Sequence, residues 1–307
     1  MNKEERSYKG HLAMLLANIM WGLNAPIGKT VLMELSPFAL TTFRMGGSAF
    51  AFWALSAFTP KEKIDKKDRI SFLFAALLGV VFNQGLFIFG LSQTSPIDAS
   101  IVCTTLPIFT MIVAAIYLKE PVTGKKIIGV LFGAAGALIL ILSASNINSG
   151  TGGNMFGNIC IFVSQLSVAI YLTVYKHLFV KYSPITISKY MFLYATICFL
   201  PFSITDLIKT DFASIDISLW LRICYVVFGA TFLAYICMMT GQKSLRPTVV
   251  SMYNYIQPII ASSFSIILGL DTFGFTKASA ICLVFLGVYI VTQSKSRKDV
   301  IIESADK

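Results

Sequence analysis

Apolar stretches of about 20 residues recur along the whole chain, at roughly 11–33, 37–58, 70–91, 97–118, 124–143, 155–176, 184–204, 218–239, 246–268 and 275–293. Twenty residues of α-helix rise about 30 Å, the thickness of the hydrocarbon core of a bilayer. Lipid offers the backbone no hydrogen-bond partners, so only helices or a closed barrel can cross it. The two-residue alternation of a barrel strand is absent. The expected fold is an all-α polytopic membrane protein with ten transmembrane helices. Composition agrees: 56% of the 307 residues are hydrophobic and 13% charged, against about 25% charged in soluble domains. A soluble domain of ordinary composition and a disordered chain are both excluded, and the connections are too short for a separate soluble domain.

The net charge is +10. A basic excess can mark a nucleic-acid footprint, but only when clustered on one soluble face. Here the basic residues alternate with the spans. Lys3, Arg6 and Lys9 precede the first span. Lys61, Lys63, Lys66, Lys67 and Arg69 fill the second connection. Lys119, Lys125 and Lys126, then Lys176 and Lys181, then Lys243 and Arg246 fill later even-numbered ones. Lys295, Arg297, Lys298 and Lys307 close the chain. The opposite side holds only Lys29, Lys209, Arg222 and Lys277. Basic loops stay in the cytoplasm, so both termini are expected there, in a protein of the cytoplasmic membrane. No nucleic-acid partner is expected. Gly22, Asn24 and Pro26 interrupt the first stretch without a small-residue cleavage site, so it reads as a retained helix. The six cysteines fall inside spans without a C-x-x-C pair and read as small apolar core residues.

The chain repeats itself. Residues 93–140 align with 244–291: Pro96 meets Pro247, Ser100 meets Ser251, Pro107 meets Pro258 and Gly136 meets Gly287. Glu120 then faces Asp271, and Lys126 faces Lys277. Earlier, Ser36-Pro37 aligns with Ser183-Pro184, and Lys29 with Lys176. The halves are residues 1–148 and 149–307, five helices each. An odd number of spans makes the second half enter from the opposite side, so the halves are inverted copies. Inverted repeats with a site between them near the midplane characterise secondary transporters.

These residues resemble the EamA-type transporters of the drug/metabolite transporter superfamily. The resemblance rests on Asn18, Trp21-Gly22 and Asn24-Ala25-Pro26 in the first helix and Arg44 in the second. Gly90-Leu91 through Thr94-Ser95 to Ala99 joins the third and fourth. Pro107 and Lys119-Glu120-Pro121-Val122-Thr123 follow, then Lys125-Lys126 and Gly129, echoed by Pro247, Tyr255, Gln257-Pro258 and Gly287. It covers nearly the whole chain and implies a ten-helix transporter of small metabolites such as amino acids, often outward. One departure is the ninth helix, which ends at Leu270-Asp271 instead of the Lys-Glu ending of the fourth.

Polar residues in spans are the binding candidates. They are Asn18, Trp21 and Asn24 in the first helix, Arg44 in the second, and Asn83 and Gln84 in the third. Thr104 and Thr105 precede Pro107 in the fourth. Gln165 and Tyr171 lie in the sixth with Ser164, and Tyr235 in the eighth. Tyr253, Asn254 and Gln257 precede Pro258 in the ninth. Pro107 and Pro258 are the expected hinges, because proline removes a donor and frees an upstream carbonyl. The same polar groups would also serve as contacts between helices, and Trp21 as packing. Arg44 and Lys189 either snorkel to the interface or meet an anionic group. No acid lies at mid-span; Glu34, Asp98 and Glu120 come closest, which disfavours coupling through a central carboxylate. Gly129-x-x-x-Gly133 permits close helix contact, within the fold or in a dimer.

His11 and His177 lie far apart, and the chain has no zinc-protease, nucleophile-elbow or phosphate-loop motif. No cofactor or metal is expected, and no catalysis. The expected function is a secondary transporter of small metabolites, such as amino acids, working outward by alternating access, as a monomer or weak homodimer. A carrier of nucleotide sugars or other anions is the alternative within transport, with Arg44 and Lys189 as the discriminating groups. A membrane-embedded enzyme on lipid-linked substrates is a further rival.

Overall fold

Serine and proline set where the helices start. Ser36 Oγ accepts from the Ala39 N–H at 3.1 Å with Pro37 in the first turn, and Ser183 Oγ accepts from Thr186 N–H at 3.2 Å with Pro184 in the same place. Both serines satisfy an orphan donor, and both prolines stand where no N–H is needed. The computed structural model describes residues 3–94, 96–144, 155–212, 215–267 and 274–294. The 148/149 boundary, Asp271 and the basic tail lie outside these, as do the side chains of Lys3, Arg6, Asp98 and Lys277.

Helices follow one another through the described residues, and none of these residues forms a strand. They are α1 (Lys3–Val31), α2 (Pro37–Ser56), α3 (Asp68–Gln93) and α4, in two pieces, Pro96–Cys103 and Leu106–Tyr117. Then come α5 (Gly124–Ala144), α6 (Met155–Val174), α7 (Pro184–Lys209) and α8 (Ile217–Ser244). The next, α9, runs as Pro247–Met252, a tight turn Tyr253–Tyr255, and Ile256–Ile267; α10 is Phe275–Thr292. A short helix, Lys176–Lys181, joins α6 to α7. Five helices are long and apolar enough to cross a membrane on those two counts alone: α3, α4 from Ala99, α6, α7 and α8. Phe58, Ile116, Phe202, Ile208 and Phe275 stand out from the bundle, more than two-thirds exposed. Such a surface suits lipid.

The main packing pairs are α5 with α10 and α2 with α7. Beside them, α1 packs on α8 and α9, and α6 on α3 and α4. Exchanging each helix for the one five places along returns the same set of pairs. Glycines set the closest approach. A methyl on Gly287 would lie 2.5 Å from the Gly133 nitrogen and 2.6 Å from the Gly129 oxygen. The Gly129-x-x-x-Gly133 stripe is therefore used within the fold, against α10.

The cysteines are not all core: Cys224 and Cys282 are exposed, and Cys103 is half-buried at the centre. Glu120 follows the end of α4, where the sequence places it. It is buried, accepting from Lys126 Nζ at 2.9 Å and from the Thr248 hydroxyl at 3.1 Å, which ties the α4–α5 connection to the start of α9.

Candidate functional site

The centre of the bundle is built from irregular stretches of helix. Residues Leu77–Gly85 of α3 and Tyr225–Leu233 of α8 are π-helical. Wider turns of this kind are uncommon and favour functional positions. Their carbonyls receive side chains from other helices. Tyr235 O–H donates to the Gly79 carbonyl at 2.8 Å, and the Ser167 hydroxyl donates to that of Leu78 at 2.6 Å. Trp21 Nε1 donates to the Ala230 carbonyl at 2.9 Å, and the Ser48 hydroxyl to that of Val227 at 3.2 Å.

The proline helices break three residues before Pro107 and Pro258. A proline cannot bond the carbonyl four positions back, which frees Cys103 and Asn254. Asn254 Nδ2 donates to the freed Cys103 carbonyl at 3.0 Å, and Tyr255 O–H donates to the Thr104 carbonyl at 3.2 Å. Asn254 and Tyr255 are the residues that align with Cys103 and Thr104 in the repeat. The two breaks therefore meet at equivalent positions: the Cys103 carbonyl takes the Asn254 side chain, and the Asn254 carbonyl takes a backbone N–H at the end of its own tight turn. Gln257 Nε2 donates to Asn254 Oδ1 at 2.5 Å and to Asn18 Oδ1 at 2.9 Å.

Between these elements lies a cavity of about 100 Å³, room for roughly three water molecules at liquid density. Trp21, Asn24, Arg44, Asn83, Gln84, Gln165, Tyr235, Asn254 and Gln257 line it. Trp21 and Tyr235 meet edge to face, with centroids 6.2 Å apart. Arg44 is buried; Nε donates to Thr231 Oγ1 at 3.0 Å, and the Thr231 hydroxyl donates to the Val226 carbonyl at 2.8 Å. Arg44 Nη1, Asn24 Oδ1 and both amide atoms of Gln84 have no hydrogen-bond partner in the protein. The Gln84 amide lies beside the Tyr235 hydroxyl without meeting it in hydrogen-bond geometry. Among the described residues no carboxylate lines the cavity. A buried guanidinium with free donors and no counter-ion is costly unless an anion reaches it.

The remaining candidates sit elsewhere. Asn18 is one layer behind Gln257, its Nδ2 donating to the Met14 carbonyl. Thr104 lines a smaller adjoining space with Pro258, while Thr105 bonds the Val102 carbonyl in its own helix. Tyr171 is wholly buried in the core against Phe179 and Gly79, its hydroxyl directed at Met191 sulfur. Tyr253 faces a side groove, bonded to His11 Nδ1 at 2.6 Å. Pro107 is buried in α4. Lys189 is away from the cavity, its Nζ over the rings of Trp53 (5.1 Å) and Tyr190 (5.2 Å). Of the two cations proposed to discriminate substrates, only Arg44 reaches the site.

Phe87, Cys103, Leu106, Val168 and Met238 also line the cavity, and the polar-residue search passes over them. Cys103 had one signal, its place four residues before Pro107. The others carry none, since an apolar side chain reads alike in a cavity wall and a lipid face.

Residues 8–142 and 155–293 match the EamA-like transporter family. The uncharacterized transporter YyaM of Bacillus subtilis is 24% identical, over 91% of this chain and 92% of its own. An uncharacterized transporter of Archaeoglobus fulgidus is 26% identical, over 94% of this chain and 100% of its own. A crystal structure 16% identical in sequence superposes with a TM-score of 0.72, covering 95% of this chain and 98% of that one, a likeness of fold alone. The two matched segments take in every helix of the bundle, and with the apolar helices they lead to one conclusion: the chain is a multi-pass membrane protein belonging to the EamA-like transporter family.

Proposed function

We propose that the protein is a secondary transporter that carries small carboxylate-bearing metabolites, amino acids among them, outward across the cytoplasmic membrane by alternating access. In this reading it has ten spans in two inverted halves, 1–148 and 149–307, with both termini in the cytoplasm, and catalyses no reaction. The exchange symmetry of the packing pairs and the meeting of the two proline breaks support the inverted halves.

The observation that carries the substrate class is Arg44. Its Nη1 is buried without a hydrogen-bond partner, Arg44 lines the cavity, and no acid among the described lining residues neutralises it. One guanidinium suits one carboxylate, which it can grip through two parallel bonds. Asn24 Oδ1 and Gln84 offer acceptors for an ammonium or hydroxyl on the same molecule. A nucleotide sugar, with two phosphates, is less well matched by one cation. A cavity without a carboxylate also favours facilitated movement, or coupling through other groups.

The test is a metabolite profile of cells overexpressing the protein against an empty vector. Accumulation of a small carboxylate outside the cells is expected; no change in any small molecule overturns the reading. Asn254→Ala and Gln257→Leu should impair transport while the protein still inserts, and full activity in both would remove α9 from the site.

A further inference from the structure

Two matched seams close the bundle. At one, the last turn of α3 meets the first turn of α6. A methyl on Gly90 would lie 2.6 Å from the Gly157 oxygen, and one on Gly157 2.9 Å from the Gly90 oxygen. Beside them the Thr94 hydroxyl donates to Asn158 Oδ1 at 2.8 Å. Lys29, near the end of α1, donates to the Leu91 carbonyl at 2.8 Å and the Thr94 carbonyl at 3.1 Å. These belong to the terminal turn of α3, whose carbonyls have no partner in the helix.

At the other seam the last turn of α8 meets the first turns of α1. A methyl on Gly241 would lie 3.3 Å from the Gly10 oxygen and 2.6 Å from the Met14 side chain; one on Gly10 would strike the Ser244 hydroxyl. Lys176, just past α6, donates to the Leu245 carbonyl at the end of α8. Gly10 and Gly157 are equivalent in the repeat, as are Lys29 and Lys176, Gly90 and Gly241, and Thr94 and Leu245. Gly10 and Lys29 stand about 28 Å apart along α1 at 1.5 Å per residue, so the seams lie at opposite ends. Gly157 and Lys176 are separated by the same number of residues along α6, in the reverse sense.

We infer that these seams are the two gates of the cavity, in which a glycine pair is the surface that parts and Lys29 or Lys176 is the latch. The assignment deepens the transporter reading above and rests on it. The glycines let the backbones approach, and the side chains seated on them, Ile161 at one seam and Met14 and Leu245 at the other, have to slide away as each seam parts. An ammonium on terminal carbonyls is a charge-assisted bond that water can replace when it breaks. Since α1 and α6 each have one end in each seam, tilting them relaxes one gate while tightening the other. Both seams are in contact in this structure.

The test uses full-length protein in which the other five cysteines are serine, leaving Cys103 as reporter in the cavity wall. An impermeant maleimide is applied to right-side-out or inverted membrane vesicles. Gly90→Leu and Lys29→Met should raise Cys103 labelling about tenfold from one face only, the factor for about 1.4 kcal/mol. Gly10→Leu and Lys176→Met should raise it from the opposite face only, and Lys29→Arg should leave it near the parent. The lysine variants keep the test valid if a leucine prevents insertion. Equal gains from both faces, or no gain in any inserted variant, overturn the gates. Metabolite export by the parent is measured alongside. Export with face-blind labelling sinks the gates alone, whereas face-specific labelling without export sinks the transporter reading and leaves the gating contacts standing.

Discussion

A single guanidinium decides the character of the cavity. Thr231 holds Arg44 by Nε and is itself fixed on the Val226 carbonyl, while Nη1 is buried without a partner. Arg44→Met is expected to weaken capture of a carboxylate substrate by about ten- to hundredfold, the range for losing one charged hydrogen bond of about 1.5–3 kcal/mol. Flux at limiting substrate reads this out. Thr231→Val should raise the substrate concentration needed for half-maximal flux and spare maximal flux. An Arg44→Met protein with unchanged flux would show that the cation serves packing only. At this scale the sequence was legible where chemistry was costly: a charge or amide placed in a span needs a reason, and Asn24, Arg44, Gln84 and Gln257 all line the cavity. Tyr171 and Tyr253 were equally visible and lie outside it, because a tyrosine can bury its ring anywhere its hydroxyl finds an acceptor.

Among the elements, the helices were readable from apolar length and from the Ser-Pro starts, and the breaks in α4 and α9 from their prolines. The π segments of α3 and α8 were not, since a wider turn leaves no residue signature; it is sustained by partners such as Tyr235 and Trp21 that arrive from distant helices. Nor was the depth of Glu120 foreseeable, because its burial depends on Thr248 of another helix. The Glu120–Lys126 pair gives an expectation of its own. Lys126→Met should destabilise the protein in detergent by about 3–5 kcal/mol, since it strands a buried charge. The double variant Glu120→Gln with Lys126→Met should recover much of that loss, as followed by thermal unfolding. Equal losses in single and double variants would refute the coupling.

For the whole molecule, the Lys176 latch ties one gate to acidity. Lys176 lies just outside α6, and burial draws its pKa down to about 8; Glu120 opposes the shift and Arg246 adds to it. As pH rises through about 8 the ammonium loses its charge and its hold on the Leu245 carbonyl weakens. Cys103 labelling from that face, taken as its ratio to that of Lys176→Met at the same pH so that the thiol's own ionisation cancels, should climb between about pH 7 and pH 9. Global stability has the opposite sign. The unfolded lysine keeps its proton to higher pH, so this group makes the fold more stable, relative to the unfolded chain, from about 8 upward. A ratio that stays flat would separate the latch from titration of Lys176.

The pairing of α1 with α8 and α9 also bears on how the chain is made. In chain order α1 is made well before the helices it packs on. Until α9 arrives, Asn18 lacks Gln257, and until α8 arrives, Trp21 lacks the Ala230 carbonyl. A helix carrying those amides has to wait in the membrane half-solvated, held by whatever water, lipid headgroup or insertion machinery can shelter it. A chain stopped after residue 212 should leave Asn18→Cys open to a small thiol reagent, and the finished protein should close it. Assembly would then be governed by the slow reunion of the chain's two extremes, with the early helices serving as tenants awaiting their partners.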